Sequence, residues 1–375
     1  MRERGNDGGQ QAMMGKPAAV SSGHWRAVLE VRQSISGPQK TLIVAIMLAV
    51  GLAISAIILI LNGVQASSLF DELIVQTFFN RESLASVLVS TTPIMLVGLA
   101  AAIGFRVRFW NIGIEGQIIF GGVGASLIAF YCPGPGALRL PLMGIAALIG
   151  GALWVLPTLF LKLRLKVNEI ITTLLLNYVA YNFLMYLVYG PWQDPVDRFP
   201  HSAKFEAVAR LPGIGFGRVD LGLFIGVVMV VVVWWLMQRS RLGFYMRFVE
   251  AKTRMAIVVG VPVLSTQIAA VLLSGALSGL AGFAISAGQE YRLTQSFALD
   301  FGFTGVVVAF LARNNPILVA VVSFLMGGLA VAGQAMKVFY QVPVAVVGLI
   351  QASIVLSIAA SEFFIHHRVR FVRAC

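Results

Sequence analysis

The sequence predicts an all-α polytopic membrane protein with about ten transmembrane helices. Hydrophobic residues make up 58% of the 375-residue chain and charged residues only 12%, and the mean hydropathy is +0.86. That is more apolar surface than a water-soluble fold can bury. Apolar runs of roughly 20 residues, the length that an α-helix needs to cross the hydrocarbon core, recur along almost the whole chain. Because these runs are continuous and do not alternate with polar residues, they disfavour a membrane-spanning β-barrel.

The basic residues predict how these helices are oriented. If the N-terminus lies in the cytoplasm, most of the 28 Lys and Arg residues fall on the cytoplasmic side, as the positive-inside rule requires, and both termini are cytoplasmic. The net charge of +12 follows from this topology. Since the basic residues flank the spans and do not gather on one soluble face, we expect no binding of nucleic acid. The predicted spans are residues 41–62, 84–104, 111–131, 140–161, 170–190, 220–238, 264–285, 300–312, 316–335 and 343–364, of which the eighth is short.

The chain divides into a membrane domain and two tails. Residues 1–40 are polar, rich in Gly and Gln, and contain no apolar core for a cleaved signal, so they predict a disordered basic cytoplasmic tail. Residues 41–365 form the predicted transmembrane domain, and residues 366–375 a second basic cytoplasmic tail. Within the domain, residues 239–262 are a predicted cytoplasmic segment and residues 191–220 an extracytoplasmic loop.

The cysteines and histidines predict neither a disulfide nor a metal site. Cys132 and Cys375 fall on opposite sides of the membrane in this topology, so they cannot pair within one chain. His24 and His201 are isolated, and the other two histidines are adjacent residues near the basic C-terminus.

Two kinds of energy source are missing from the sequence. A pump that hydrolyses ATP by itself needs a phosphate-binding loop of the form GxxxxGK[ST], but the one Gly-Lys pair, at residues 15–16, is followed by a proline. Ion-driven carriers usually hold ionisable residues deep in their spans. Here Glu115, Glu169 and Asp300 all fall near predicted span ends. These positions weaken the hypothesis of an ATP-independent carrier and leave it open.

A charged segment interrupts the apolar runs between Arg239 and Pro262. Within it, Phe244 and Phe248 lie one helical turn apart. Glu250 lies four residues before Arg254, the order of charges that supports a helix. We therefore predict a helix that docks onto a partner in the cytosol.

A short motif occurs twice and predicts an inverted repeat. Residues 111–116, NIGIEG, and residues 300–305, DFGFTG, share the pattern [ND]-[IF]-G-x-x-G and begin spans that cross in opposite directions. Spans two to five would then be mirrored by spans seven to ten around a central pathway. In the first copy, Asn111 is placed to cap a helix and Glu115 to complement the helix dipole.

Polar residues inside the spans have two interpretations. They offer donors and acceptors to a hydroxylated, aromatic solute, or they join neighbouring helices by hydrogen bonds. Gly275 and Gly279, spaced GxxxG, predict close helix packing instead. The candidate pathway residues are Gln117, Asn177, Tyr178, Gln334 and Gln351.

Four sequence strings carry a resemblance to a known family. They are NIGIEGQ at 111–117, VNEIITTLLLNY at 167–178, ARNNP at 312–316, and GQAM…VP…IQ within 333–351. With the charged segment they resemble the permease subunits of bacterial ABC importers for simple sugars and nucleosides, and most closely the nucleoside permeases that work with basic-membrane-protein type receptors. The resemblance covers roughly residues 40–365. The motif positions that carry it are Asn111, Gly113, Glu115, Asn168, Glu169, Asn314, Asn315 and Pro316.

The resemblance implies a type II ABC importer-like permease that moves nucleosides across the bacterial cytoplasmic membrane, with simple sugars as the alternative. It implies a second permease subunit, identical or related, an extracytoplasmic solute-binding lipoprotein as receptor, and a separate ABC ATPase that binds ATP and Mg²⁺, so that the permease needs no cofactor of its own. Residues 242–261 would be the segment that couples to the ATPase, although Glu250 stands where the family commonly has Gly and Lys252 where it has Asn. The coupling residues are Leu242, Gly243, Arg247, Phe248, Glu250, Arg254 and Gly260.

The loop at residues 191–220, with Trp192, Asp194, Asp197 and Arg198, is then a candidate contact for the receptor or an ordinary solvated loop. Two functions of other classes remain as alternatives: an ATP-independent carrier, and a membrane-embedded scaffold or receptor that transports nothing.

Overall fold

The computed structural model describes residues 25–31, 36–64, 71–132, 135–298 and 300–373. The chain divides into two compact units, one made of Met1–Met47 with Ala360–Cys375 and the other of Leu48–Ala359. The elements of the described residues are β1 Trp25–Val31, α1 Gly37–Leu61, α2 Arg81–Arg106, α3 Ile114–Tyr131, α4 Gly136–Leu165, α5 Glu169–Tyr189, α6 Leu221–Arg239, α7 Arg241–Val258, α8 Val263–Ala284, α9 Phe301–Leu311, α10 Pro316–Phe339, α11 Val344–His366 and β2 His367–Arg373, with π-helical turns at Asp71–Gln76 and Ile285–Gln289 and a 3-10 turn at Ala207–Ala209.

The smaller unit contains an antiparallel strand pair that the sequence analysis did not predict. β1 pairs with β2, so that Trp25 lies opposite Arg373 and Val31 opposite His367. The sequence of β2, HRVRFVR, largely alternates basic and apolar residues, a pattern typical of a strand. Part of the predicted tail, residues 25–31, is therefore a strand. Residues 1–24, and with them His24, lie outside the described residues, as does Cys375, so the predictions for them stay predictions.

The helices confirm the predicted all-α membrane fold. Among the described residues, nine helices are long and apolar enough to cross a membrane, and they correspond to nine of the ten predicted spans. The tenth, α9, corresponds to the predicted eighth span and has only 11 residues. At 1.5 Å per residue it is about 16 Å long, roughly half of the 30 Å hydrocarbon core. The chain is thus a multi-pass membrane protein, and its described residues include a half-length helix.

The helix contacts of the larger unit follow the predicted inverted repeat. α2 and α8, the second and seventh spans, pack on each other. They are the most enclosed of the apolar helices described, since 83% and 72% of the residues in their most apolar 18-residue stretches are buried. α2 packs on α9 and α10, the eighth and ninth spans. α8 packs on α3 and α4, the third and fourth spans. Besides its contact with the other central helix, each central helix therefore contacts the second and third members of the opposite half, as a two-fold related pair of repeats requires.

Small residues bring α8 close to α4. A β-carbon added to Gly275 would lie 2.7 Å from the carbonyl oxygen of Gly151. One added to Gly279 would overlap the carbonyl oxygen of Ala147 and lie 3.0 Å from the backbone nitrogen of Gly151. The two backbones are therefore in direct contact, and the predicted packing role of Gly275 and Gly279 is confirmed.

Candidate functional site

The turn between α2 and α3 is held by a buried pair of side-chain amides. Asn111 donates to Oε1 of Gln117 at 3.0 Å, and Gln117 donates back to Oδ1 of Asn111 at 3.0 Å. Asn111 also donates to Oγ of Ser274 on α8 at 3.2 Å. Both amides are essentially inaccessible to solvent.

One prediction about this turn needs correction. Asn111 does not cap α3, because the residue at the N-cap position is Gly113 and makes no side-chain capping bond. Gln117 is only 1% exposed and its amide is paired with Asn111, which agrees with the second interpretation of the polar span residues, hydrogen bonding within the bundle. A buried amide must have hydrogen-bond partners, and here the neighbouring side chain supplies them.

Side chains of helix α5 hydrogen-bond to the backbone of the same turn. Oδ1 of Asn177 accepts from the backbone N–H of Gly116 at 2.9 Å, and its Nδ2 donates to the carbonyl of Ile112 at 3.0 Å. Oγ1 of Thr173 accepts from the N–H of Ile112 at 3.3 Å. Gly113 permits this approach, because a β-carbon there would lie 2.8 Å from the carbonyl of Thr173. The motif of residues 111–117 thus joins α3 to α5.

A cavity of about 280 Å³ opens beside this junction. Three aromatic rings line it, those of Tyr178, Tyr181 and Phe303, together with polar groups of Glu115, Asn177 and Gln295. Its volume is near the lower end of the range for small-molecule sites, and its lining combines apolar surface with a few polar groups, as such sites usually do. The remaining lining residues are Ile119, Leu174, Leu184 and Ala298.

The two copies of the repeated motif meet at this cavity. Glu115, in the first turn of α3, lies against Gly302 at the start of α9, where an added β-carbon would be 2.9 Å from the backbone nitrogen of Glu115. The half-length helix therefore begins at the cavity wall, at the junction of the two repeats.

The candidate pathway residues do not lie together. Asn177 and Tyr178 line the cavity just described. Gln334 lines a second cavity of about 410 Å³ that also includes Arg218 and Glu290. Gln351 lies half-buried on α11.

The predicted docking helix is present but broken. α7 begins after Ser240, whose Oγ accepts from the N–H of Gly243 at 3.1 Å. At Lys252 the backbone leaves helical geometry, with φ −162° and ψ 109°. The predicted helical pair of Glu250 and Arg254 is therefore wrong, because the break lies between them, and the carboxylate of Glu250 lies instead 3.9 Å from Nε of Arg106.

The predicted coupling residues differ in what they present to a partner. The rings of Phe244 and Phe248 meet at 4.9 Å as their spacing predicts, but Phe248 packs on the core while Phe244 is 56% exposed. Arg247 donates to the carbonyl of Met237 at 3.3 Å. Leu242 is half-buried, Gly243 is buried, Arg254 is exposed, and Gly260 ends the segment with φ +84°.

Sequence reasoning missed an apolar tip on this segment. Met255, Ile257, Val258 and Val259 are all exposed, Val258 by 84%. In the sequence these residues form a short apolar run, 255–259, within a charged segment. The run does not continue the helical spacing of the residues before it, because the helix is broken at Lys252.

The other motif residues are mostly helix caps. Asn168 caps α5 by accepting from the N–H of Ile170 at 2.9 Å. Asn315 caps α10 by accepting from the N–H of Ile317 at 3.1 Å, and Pro316 follows at the first helical position, where a missing N–H costs nothing. Asn314 precedes them with a left-handed φ of 55°.

The loop at residues 191–220 is well packed. Trp192, a predicted receptor contact, is only 9% exposed, and its indole N–H donates to the hydroxyl of Tyr131 at 3.0 Å. Asp197 and Arg198 are exposed. Ser202 and Leu293 hydrogen-bond through their backbones at 2.9 Å. Trp192 is therefore a core residue.

His201 is not isolated, as the sequence analysis assumed. Its ring nitrogen lies 3.1 Å from Oδ2 of Asp197, and Asp194 places a third possible ligand atom within 4.8 Å of the other two. Nη1 of Arg292 lies 3.0 Å from the same imidazole, so the histidine already has a cationic neighbour.

Comparisons with known proteins agree on one family. The family model described as branched-chain amino acid transport system, permease component, matches residues 83–359. The glucose ABC transporter permease protein TsgB13 of Haloferax volcanii is 34% identical over 85% of this chain and 87% of its own length. The guanosine ABC transporter permease protein NupP of Bacillus subtilis is 30% identical over 88% and 95%. The nucleoside ABC transporter permease protein NupB of Lactococcus lactis is 26% identical over 74% and 80%.

Proposed function

Because this chain belongs to the family of branched-chain amino acid transport system permease components, we propose that it is the membrane-spanning subunit of an ABC importer for nucleosides. It is a transport component and not a catalyst. Permeases of this family work with an ATPase and a solute-binding protein. The proposal adds that the solute is a nucleoside, which two of the three relatives described above transport according to their names.

The cavity at the junction of the repeats supports this choice of solute. A nucleoside has a planar aromatic base and a hydroxylated sugar. Tyr178, Tyr181 and Phe303 offer ring faces to the base. The carboxylate of Glu115 and the amide of Gln295 offer acceptors and a donor to the hydroxyl groups. The combination of both kinds of surface in one small cavity is the observation that carries the proposal.

The proposed assembly follows from the missing ATP-binding loop and the exposed tip of α7. Two permease subunits, identical or related, enclose the pathway, and each offers its α7 on the cytoplasmic side to an ATPase that binds ATP and Mg²⁺. Both termini are cytoplasmic, in a bacterial cytoplasmic membrane. The receptor delivers the solute on the other side, where Asp197 and Arg198 are exposed. ATP binding shifts the balance between two conformations of the permease.

A simple sugar is the second candidate solute. The relative from Haloferax volcanii, at 34% identity, is a glucose permease by name. The polar groups of Glu115 and Gln295 would serve a sugar as well as a ribose, whereas the amide of Asn177 is already bonded to the backbone of Ile112 and Gly116. What separates the two candidates is whether the aromatic rings contribute to transport.

The test is uptake into vesicles that contain the permease, its ATPase and its receptor. Labelled guanosine, uridine, ribose and glucose are offered with internal ATP, or with an imposed ion gradient alone. We expect ATP-dependent uptake of a nucleoside. Uptake of sugars only would establish the second candidate, gradient-driven uptake without ATP would establish a carrier, and no uptake under any condition would indicate a scaffold.

A matched pair of tyrosines on α5 tests the cavity itself. Tyr178→Ala removes a ring from the cavity, whereas Tyr186→Ala removes a ring of similar exposure from the same helix outside the cavity lining. We expect the first variant to raise the KM for nucleoside uptake by about twofold to tenfold, the loss of one aromatic contact. Tyr186→Ala leaves the KM unchanged. Equal KM values for both variants would place the solute elsewhere.

A further inference from the structure

The guanidinium of Arg108 binds the point at which α7 is broken. Its Nε and Nη2 donate to the carbonyl of Glu250 at 3.1 and 3.0 Å, and Nη2 also donates to the carbonyl of Ala251 at 2.9 Å. These carbonyls immediately precede the non-helical Lys252. Carbonyl groups at the end of a helical run lack their N–H partners and carry partial negative charge. Arg108 therefore supplies the donors that the broken helix lacks.

The backbone of Arg108 is held in a strained conformation. Its φ is +55°, in the left-handed region that residues with a β-carbon rarely adopt. This residue lies just past the end of α2, where the N–H of Phe109 donates to the carbonyl of Gly104 at 3.0 Å, a closure typical of helix C-termini. From there the side chain of Arg108 leaves the turn between α2 and α3 and reaches α7.

The same turn is tied to the helices that form the cavity. Lys162 on α4 donates to the carbonyl of Arg108 at 3.3 Å and forms an ion pair with Glu169, in the first turn of α5, at 2.6 Å. Further along, Ile112 and Gly116 are bonded to Asn177, which lines the cavity. The turn is therefore linked to α5 at two places, through Lys162 to Glu169 at the start of the helix and directly to Asn177.

A second set of contacts keeps the turn from moving independently of α7 and α8. Arg106 lies 3.9 Å from the carboxylate of Glu250. Gln267 on α8 donates to the carbonyl of Val107 at 3.2 Å. Between the turn and α7, the hydrogen bonds of Arg108 are shorter than the contact of Arg106. They end on backbone atoms of α7, so any movement of that helix displaces their acceptors.

We infer that Arg108 is the positioning residue through which a movement of α7 changes the cavity. This rests on the proposed function, in which a partner ATPase moves α7. The force passes from the carbonyls of Glu250 and Ala251 to Arg108, from the turn to α5, and so to Asn177 at the cavity wall. Arg108 touches neither ATP nor solute.

The test separates coupling from folding and from docking. Arg108→Gly removes the guanidinium and relieves the backbone strain, because glycine adopts positive φ freely. Arg108→Lys keeps the charge but not the planar fork of donors that binds two carbonyls. Lys166→Gly is the matched control, since Lys166 has the same φ of 55° and an exposed side chain and lies in the neighbouring connection after α4. For each complex with ATPase and receptor, one measures ATPase co-purification, ATP hydrolysis and guanosine uptake.

We expect both Arg108 variants to bind the ATPase and to hydrolyse ATP. The ratio of guanosine imported to ATP hydrolysed should fall by about fivefold or more, which is the lower end of typical coupling between two sites. Lys166→Gly matches the wild type. An unchanged ratio in Arg108→Gly overturns the inference. Loss of ATPase binding in proportion to uptake also overturns it, because Arg108 would then be a docking residue. A wild-type complex that imports no solute rejects the proposed function itself, and the inference with it.

Discussion

At the scale of single residues, Asp220 shows how burial changes a carboxyl group just before a span, because in the structure the helix α6 begins at Leu221 and not at residue 220. Asp220 is 7% exposed and caps α6, with Oδ1 accepting from the N–H of Gly222 at 2.7 Å. Burial raises the pKa of Asp220 above its ordinary value of 3.8, and the hydrogen bond from Gly222 opposes this only in part. The folded protein therefore holds this proton to a higher pH than the unfolded chain does.

This difference predicts a pH dependence of stability. Between the two pKa values the folded state binds more protons, so the contribution of Asp220 to the free energy of unfolding falls as the pH rises through that window. Asp220→Asn keeps the capping oxygen and removes the charge. We therefore expect this variant to show a weaker pH dependence of stability, and a higher unfolding temperature than the wild type at pH values above the window. Asp220→Ala loses the cap as well, at a cost of about 1 kcal/mol.

Thermal unfolding in detergent over a series of pH values measures both effects. An Asp220→Asn variant with the same pH slope as the wild type would contradict the pKa shift. An Asp220→Ala variant as stable as Asp220→Asn would contradict the capping role.

At the scale of elements, α8 and α4 depend on glycine for their contact. A β-carbon at Gly279 would overlap the carbonyl of Ala147, whereas one at Gly348 on α11 would meet no atom within 4 Å. We expect Gly279→Ala to lower the free energy of unfolding by about 1–3 kcal/mol through overpacking, and Gly348→Ala to leave it nearly unchanged. Thermal unfolding of the two variants side by side makes the comparison, and equal stability would show that the two backbones separate easily.

The apolar tip of α7 is the second element that carries a prediction. Val258 is 84% exposed in the charged segment, and Val196 is 89% exposed in the loop at residues 191–220, on the opposite side of the membrane in the predicted topology. We expect Val258→Asp to weaken ATPase binding by about tenfold or more, as the loss of a central apolar contact does. Val196→Asp is the control and should bind the ATPase as the wild type does. The affinity of purified ATPase for each variant in detergent is the measurement; equal affinities would remove the tip from the docking surface.

At the scale of the whole molecule, the two halves cross over each other around α2 and α8. The two central helices pack on each other and each packs on two further helices of the opposite half, and the repeated motifs meet where Glu115 contacts Gly302. The cavity therefore lies at the junction of the repeats, where a relative movement of the halves changes its shape. The ATP-dependent uptake experiment and the Arg108 variants test this arrangement from its two ends, the cavity and α7.

Much of the fold was predictable because hydropathy and charge are local properties. The apolar runs located the helices, and the short run at residues 300–312 indicated the half-length helix α9. The site was predictable only in part. Asn177 and Tyr178 line the cavity, where Glu115 and Gln295 join them only through packing, and their role in a solute pathway stays a prediction.

The sequence by itself determined that this is a multi-pass helical membrane protein and that a charged segment interrupts its apolar runs. The length of each apolar run and the position of the charged residues decide these properties without reference to any other part of the chain. Only the tertiary structure decided which polar groups face a cavity and which face each other. Gln117 and Asn177 are similar amides in similar spans, and both are hydrogen-bonded inside the protein, Gln117 to Asn111 and Asn177 to the backbone of Ile112 and Gly116. Asn177 borders the cavity and Gln117 does not, because the surroundings of a side chain depend on helices that pack together from distant parts of the chain.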